Sequence, residues 1–255
     1  MKFNKNLLSF FVLMSFLTIT VSAQKTWEKP LQKWSKDETI KLLSTSPWAK
    51  MYQSTTASQK DIQSQAADRG GNSARSIPRS FGQFPVVLRL HSAMPIRQAL
   101  VRIRQIEAGY DKMDEKQRAD FDKTTQGFLS CPICKDYYVL TLTKFVDTTA
   151  QYVDEGVFQK MGLEQLKGNV WLVNEKGERR ELVQFNPPKN PADAAVFYFA
   201  RTDDKGVPFL TPESKSFEFV FNSSFMNSRN PYAAMLPQSF DFSVSKLIVD
   251  GNLLF

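Results

Sequence analysis

Apolar positions along this chain follow three regimes. Residues 7–21 form an uncharged and mainly apolar run, residues 53–80 hold only Ile62 and Ile77 as large aliphatics, and most of the rest alternates with a helical or a strand period. Between the first two regimes lie Trp27, Trp34 and Trp48. There Ser35 and Glu38 have capping-box spacing, each able to satisfy a free backbone donor of the other's segment. A short helix through Ile40, Leu42 and Leu43 should end near Ser46, because Pro47 disfavours helical geometry before it. The stretch beyond is rich in Ser, Thr, Gln and Ala with Gly70-Gly71, the composition of a flexible tether.

From residue 84 the periods return. Residues 85–90 have strand composition. Pro95 opens a helix striped by Ile96, Leu100, Ile103 and Ile106. Asp114 and Gln117 cap a second helix that passes Phe121 and ends near Leu129. Residues 137–145 read as a strand and 155–167 as a short helix. The remainder is almost all β: 170–173, a turn at 174–177, then 181–185, 194–200, 216–221, 240–249 and 253–255. Phe217, Phe219 and Phe221 share one strand face, as do Phe240, Phe242 and Val244, the mark of strands with one buried side. The expectation is an α+β fold, with N-terminal helices followed by a mostly antiparallel β-sheet.

The opening apolar run changes what this fold is for. Lys2 and Lys5 precede it, and Val21-Ser22-Ala23 supplies small residues for a signal peptidase. About 15 apolar residues fall short of the ~20 that cross a bilayer. The predicted order is a signal peptide at 1–23, a Trp-rich helical arm at 24–52, a flexible polar linker at 53–83 and an α+β domain at 84–255. Removing 23 of the 255 residues leaves 232, and losing two lysines lowers the formal charge from +7 to +5. The product is expected to be a soluble exported protein, periplasmic or extracellular, with no transmembrane segment once cleaved. Its partner would be a protein or envelope component. A nucleic-acid partner is not expected, because the compartment is wrong and no basic stripe is concentrated enough. The 21 phenylalanines indicate a well-filled core.

Four stretches together carry a family likeness. Trp34-Ser35-Lys36 with Ser46-Pro47-Trp48-Ala49, then Ser92-Ala93-Met94-Pro95-Ile96-Arg97-Gln98-Ala99, then Asp136-Tyr137-Tyr138-Val139, and the closing stretch 240–254, resemble a family of uncharacterised exported proteins of soil bacteria. The resemblance spans most of the mature chain and implies export and architecture, with no established activity. The pair Cys131 and Cys134 and the length of 223–238 depart from it.

Candidate chemistry is sparse. Cys131-Pro132-Ile133-Cys134 has the spacing of a local disulfide in an oxidising compartment, and also that of a thioredoxin-like redox pair. Redox pairs of that type sit between a strand and a helix, whereas here a helix precedes and a strand follows. A structural disulfide is therefore the expectation. Zinc would want four ligands, and His91 is the single histidine. No metal or cofactor is expected. His91 lacks a nucleophile elbow beside it, and Ser92 is merely its neighbour. Arg97, Arg102 and Arg104 read as the solvated face of their helix. Asp114-Glu115 and Asp203-Asp204 fall where helix starts and turns place acids anyway. An outer-membrane barrel, suggested by the terminal Phe255, would need at least eight long alternating strands, more than this pattern supplies.

Two features point to contact surfaces. Between two predicted strands, residues 225–237 carry Phe225, Met226, Tyr232, Met235 and Leu236, a candidate binding loop. Trp27, Trp34 and Trp48 could dock on a partner or on their own domain, and docking at home avoids a large exposed aromatic patch. The sequence thus points to a non-catalytic binding protein, with no catalytic residue assigned. The alternative is an exported enzyme or redox protein using Cys131 and Cys134, or carboxylates and tyrosines too generic to recognise.

Overall fold

The computed structural model describes residues 25–52, 86–144, 158–190, 193–222, 224–225 and 236–255. Residues 1–23, expected to be a signal peptide, the whole of the expected linker at 53–83, and Met226, Tyr232 and Met235 lie outside the described residues.

Local signals place the helices well. Helix α1 (Lys36–Ser44) starts at Ser35, whose hydroxyl accepts from the Glu38 amide while the Glu38 carboxylate accepts from the Ser35 amide. Helix α2 (Met94–Glu107) carries proline in its first turn. Helix α3 (Glu115–Leu129) is capped reciprocally by Asp114 and Gln117. Helix α4 is only Leu163–Leu166, much shorter than the 155–167 helix expected. Gly162, at its N-cap, leaves room for a single turn before Gly168 takes a positive φ of 71° and turns the chain toward the next strand.

Eight strands form one antiparallel sheet: β1 (Ala49–Tyr52), β2 (Val86–Leu90), β3 (Tyr137–Lys144), β4 (Val170–Asn174), β5 (Arg179–Asn186), β6 (Ala195–Ala200), β7 (Ser216–Phe221) and β8 (Ser239–Ser243). Their spatial order is β1-β2-β3-β6-β5-β4-β7-β8, and every neighbouring pair is antiparallel. The class is α+β with β dominant. The helices-first order needs correction, because β1 and β2 precede α2 and α3. The supposed helical arm supplies β1, which lines up on β2 from Ala49 opposite Arg89 to Tyr52 opposite Val86. Four residues after Pro47-Trp48 are too short a strand for periodicity to reveal. The single strand expected over 240–249 is also broken. After β8 the chain makes a 3-10 turn at Val244–Leu247, then a small hairpin of β9 (Ile248–Val249) and β10 (Asn252–Leu253). Asp250 and Gly251, with φ of 50° and 76°, make that reversal.

The sheet curls until its edges meet. Lys50 on β1 stands 5.4 Å from the ring centre of Phe242 on β8. The inner face is filled by Leu88, Leu90, Leu140, Phe185, Phe197, Phe199, Phe219 and Phe240, all buried. Phe197 is central: its ring lies 5.1 Å from both Phe185 and Phe219 and 5.4 Å from Phe158. The contacts with Phe219 and Phe158 are edge-to-face and that with Phe185 is tilted, and such pairs add to the area each ring removes from water. Outward positions such as Glu218 and Asp241 are exposed. Phenylalanine inside and charge outside is the reverse of an outer-membrane barrel, and these strands of 4 to 8 residues are shorter than the 9 to 11 or so that span a bilayer. Among the described residues, no helix is long and apolar enough to cross a membrane. Helices α1 and α2 pack together on the outer side of β1 and β2, where Arg89 reaches the Leu43 carbonyl.

Candidate functional site

Strand register sorts the candidate residues to two ends of the sheet. Tyr137 opposite Ala200, and Val173 opposite Arg179, mark one end. Lys144 opposite Val86, Val170 opposite Phe221, and Ser239 opposite Val220 mark the other. Cys131 and Cys134 belong to the first end, Phe225 and Leu236 to the second. The sequence-derived candidates are therefore two sites rather than one.

At the first end, Cys131 and Cys134 are joined in a disulfide. The pair sits where α3 stops, in a 3-10 turn at Pro132–Lys135 that leads into β3. That order, helix then cysteines then strand, is the one expected. Cys131 is half-buried and Cys134 buried. Around them the structure places two arginines that sequence reasoning misjudged or missed. Arg97 was expected on a solvated helix face, yet it is buried at 7% exposure. Its Nε donates to the Leu129 carbonyl and its Nη1 to the carbonyls of His91 and Ser92, with Nη1 also 3.7 Å from Cys134 Sγ. Arg201, at the end of β6, donates from Nε to the Cys134 carbonyl and from Nη2 to the Phe255 main-chain oxygen. Its guanidinium lies 4.6 Å and 4.8 Å from the ring centres of Tyr138 and Phe255.

Arg102 repeats the correction. It is buried at 4%, donates to the carbonyls of Trp34 and Gln32, and pairs with the exposed Asp111. Arg104 alone of the three is half-exposed, its guanidinium 3.9 Å from the centre of the Phe128 ring. Arginine on an apolar-striped helix signals a polar face only while no neighbouring element covers it. Here Leu129, Ser92 and the tryptophan arm do so with their carbonyls, which accept from several of the N–H donors that each guanidinium holds in a fixed fork.

His91 follows β2 at the same end, and its imidazole pKa falls to about 4. Burial is the main cause, and the cations Arg97 and Arg89 add to it. It is a neutral packed histidine at physiological pH. Tyr138, buried against Phe209 and Phe255, has its hydroxyl pKa raised by burial, an effect that Arg201 opposes. Ser92 is used structurally, its hydroxyl accepting from the Val139 amide. Among the described residues no three His, Cys, Asp or Glu side chains gather as a metal site.

The tryptophans are part of the fold. Trp34 and Trp48 are buried at 1% and 0% exposure, and Trp27 packs edge-to-face on Trp48 with 4.9 Å between ring centres. Trp34 donates its indole N–H to the Lys29 carbonyl. The arm docks on its own domain, so Trp34 and Trp48 present no free surface.

At the second end, Phe225 and Leu236 are half-buried against the core and bracket the candidate loop. The same end holds an open depression of about 750 Å³ lined by Gln159, Asn186, Pro187, Pro188 and Lys189. No signal in the sequence marked those five residues. No family model matches this chain, and no curated protein or solved structure matches it either.

Proposed function

We propose that this is an exported protein that works by binding a protein or envelope component through the second end of its sheet. One observation carries the reading: Phe225 and Leu236, the residues that flank 226–235 in the chain, both pack on the core at the end of the sheet that holds the depression of Gln159, Asn186, Pro187, Pro188 and Lys189. A loop of that length with Met226, Tyr232 and Met235 suits an adaptable contact surface on a rigid scaffold. The rest of the molecule supports the same reading. Arg97, Arg102 and Arg201 are occupied with main-chain carbonyls, and His91 is neutral and packed. The disulfide accords with an oxidising compartment, and the signal-like N-terminus gives the route there.

The test replaces residues 226–235 with ten alternating Gly and Ser, leaving Phe225 and Leu236 in place. Near-ultraviolet circular dichroism checks that the fold is kept. Co-sedimentation with purified cell-envelope fractions should fall by roughly tenfold or more, the scale at which a contact hot spot matters. Unchanged co-sedimentation would remove the loop from the site. Wild-type protein that never co-sediments would remove the envelope partner.

A further inference from the structure

At the first end of the sheet the disulfide has features that a purely structural bridge does not require. Arg97 is a buried cation whose partners are three carbonyls, the Met94 sulfur and Cys134 Sγ. Among the described residues no carboxylate pairs with it. Buried charges are ordinarily matched by an opposite charge, since carbonyl dipoles only partly replace lost solvation. A second guanidinium, Arg201, binds the Cys134 carbonyl, and its pKa is lowered, first by burial and then by the nearby Arg97 cation, against an opposing effect of Tyr138. The atom positioned to become the missing counter-ion is Cys134 Sγ, and it does so only when the disulfide opens. The surroundings add an approach. Met94, Phe128 and Ile133 are three of the six large apolar side chains exposed by more than a third among the described residues, at 39%, 36% and 37%. Ile133 lies between the two cysteines, Met94 touches Arg97, and Phe128 stands in the last turn of the helix that leads to them.

We infer that Cys131–Cys134 is a thiol–disulfide exchange site for a dithiol in an extended, apolar polypeptide segment. The thiolate of the incoming segment attacks the more accessible Cys131 Sγ. The Sγ–Sγ bond breaks, and its electron pair leaves on Cys134 Sγ as a thiolate beside Arg97. The segment's second thiolate then attacks its own sulfur in the mixed disulfide and expels Cys131 as a thiolate. The two protons given up by the segment's thiols end on the Cys131 and Cys134 pair or in solvent. The segment is oxidised by two electrons to a disulfide, and the pair is reduced to a dithiol. Arg97 acts as a leaving-group stabiliser, because a thiol of lower pKa leaves faster. The apolar residues supply affinity for unfolded chain. This activity is independent of the binding proposed above.

The experiment uses the mature chain, residues 24–255, with its disulfide intact, and a reduced two-cysteine peptide flanked by apolar residues. Alkylation and mass spectrometry follow the mixed disulfide and the products at pH 7. Exchange should run about ten times faster or more than with oxidised glutathione as acceptor. An equal or slower rate would overturn the inference. Because Arg97→Met removes buried hydrogen bonds and could unfold the chain, a second measurement stands apart from it. In Cys131→Ser the thiolate absorbance of Cys134 should titrate about one pH unit or more below the ordinary 8.5 or so. Titration at or above the ordinary value would also overturn the inference. Met94→Ser together with Ile133→Ser should slow exchange with the peptide several-fold while leaving exchange with dithiothreitol unchanged, an effect that general loosening of the fold would not produce.

Discussion

The indole N–H of Trp48 donates to the main-chain oxygen of Leu254 at 2.6 Å, across a sequence separation of 206 residues. This bond ties the N-terminal arm to the closing hairpin. It sits where the curled sheet brings its first and last strands together, near the contact of Lys50 with Phe242. Trp48 itself is fully buried, with Trp27 against its ring. Replacing Trp48 by Phe keeps an aromatic in place but leaves the Leu254 oxygen without its donor, which should cost about 1–2 kcal/mol. Trp48→Ala also opens a cavity and should cost about 3–5 kcal/mol. Urea unfolding followed by circular dichroism would measure both. Equal losses for the two variants would mean that packing, and not the bond, joins the chain's ends.

Arg102 and Asp111 form an asymmetric pair, with side chains 5% and 63% exposed. Its Asp side is worth little because solvent screens it. Asp111→Asn should therefore lower stability by less than about 1 kcal/mol. Arg102→Met removes the donors to Trp34 and Gln32 and leaves two carbonyls unpaired, at about 2–4 kcal/mol. The arm should loosen along with it, seen as a red shift and quenching of tryptophan fluorescence before global unfolding. Matching losses for the two variants would overturn this account.

His91 makes stability depend on pH in a window that can be stated. Its folded pKa, about 4, is below the ordinary 6.5. Between those values the unfolded chain binds the proton and the folded chain does not, so unfolding gains as pH falls. The contribution of neutral His91 is fully present above about pH 6.5 and is lost as pH drops to about 4, on the order of 2 kcal/mol after allowing for its partial exposure. Glu38 and Asp111, whose carboxyl pKa values are lowered by hydrogen bonds from Lys29 and Arg102, extend the loss below that window. His91→Gln should flatten the stability profile between pH 4 and 6.5 and leave the acid limb below it. A profile unchanged by the substitution would show that His91 does not carry the slope.

How much of this was legible in the sequence differs from element to element. The Ser35–Glu38 and Asp114–Gln117 caps, the proline start of α2 and the alternation of Phe217, Phe219 and Phe221 are local, set by residues within a turn or two of one another. They read correctly. The proximity of Cys131 and Cys134 was legible too, because only two residues separate them. Strand β1 was not, since its pairing with β2 spans the whole linker and its four residues carry no period of their own.

The arginines mark the sharper boundary. By itself the sequence determined the three longer helices, most strands and the adjacency of the cysteine pair, because capping, periodicity and short loops act through near neighbours. Only the tertiary structure decided that Arg97 and Arg102 lie buried, that the tryptophan arm belongs to the sheet, and that the disulfide and the pair Phe225 and Leu236 occupy opposite ends. Each depends on carbonyls and faces brought in from residues about 30 to 200 positions away. Arg97, satisfied by main-chain oxygens, has among the described residues no acidic partner in the sequence to announce its burial.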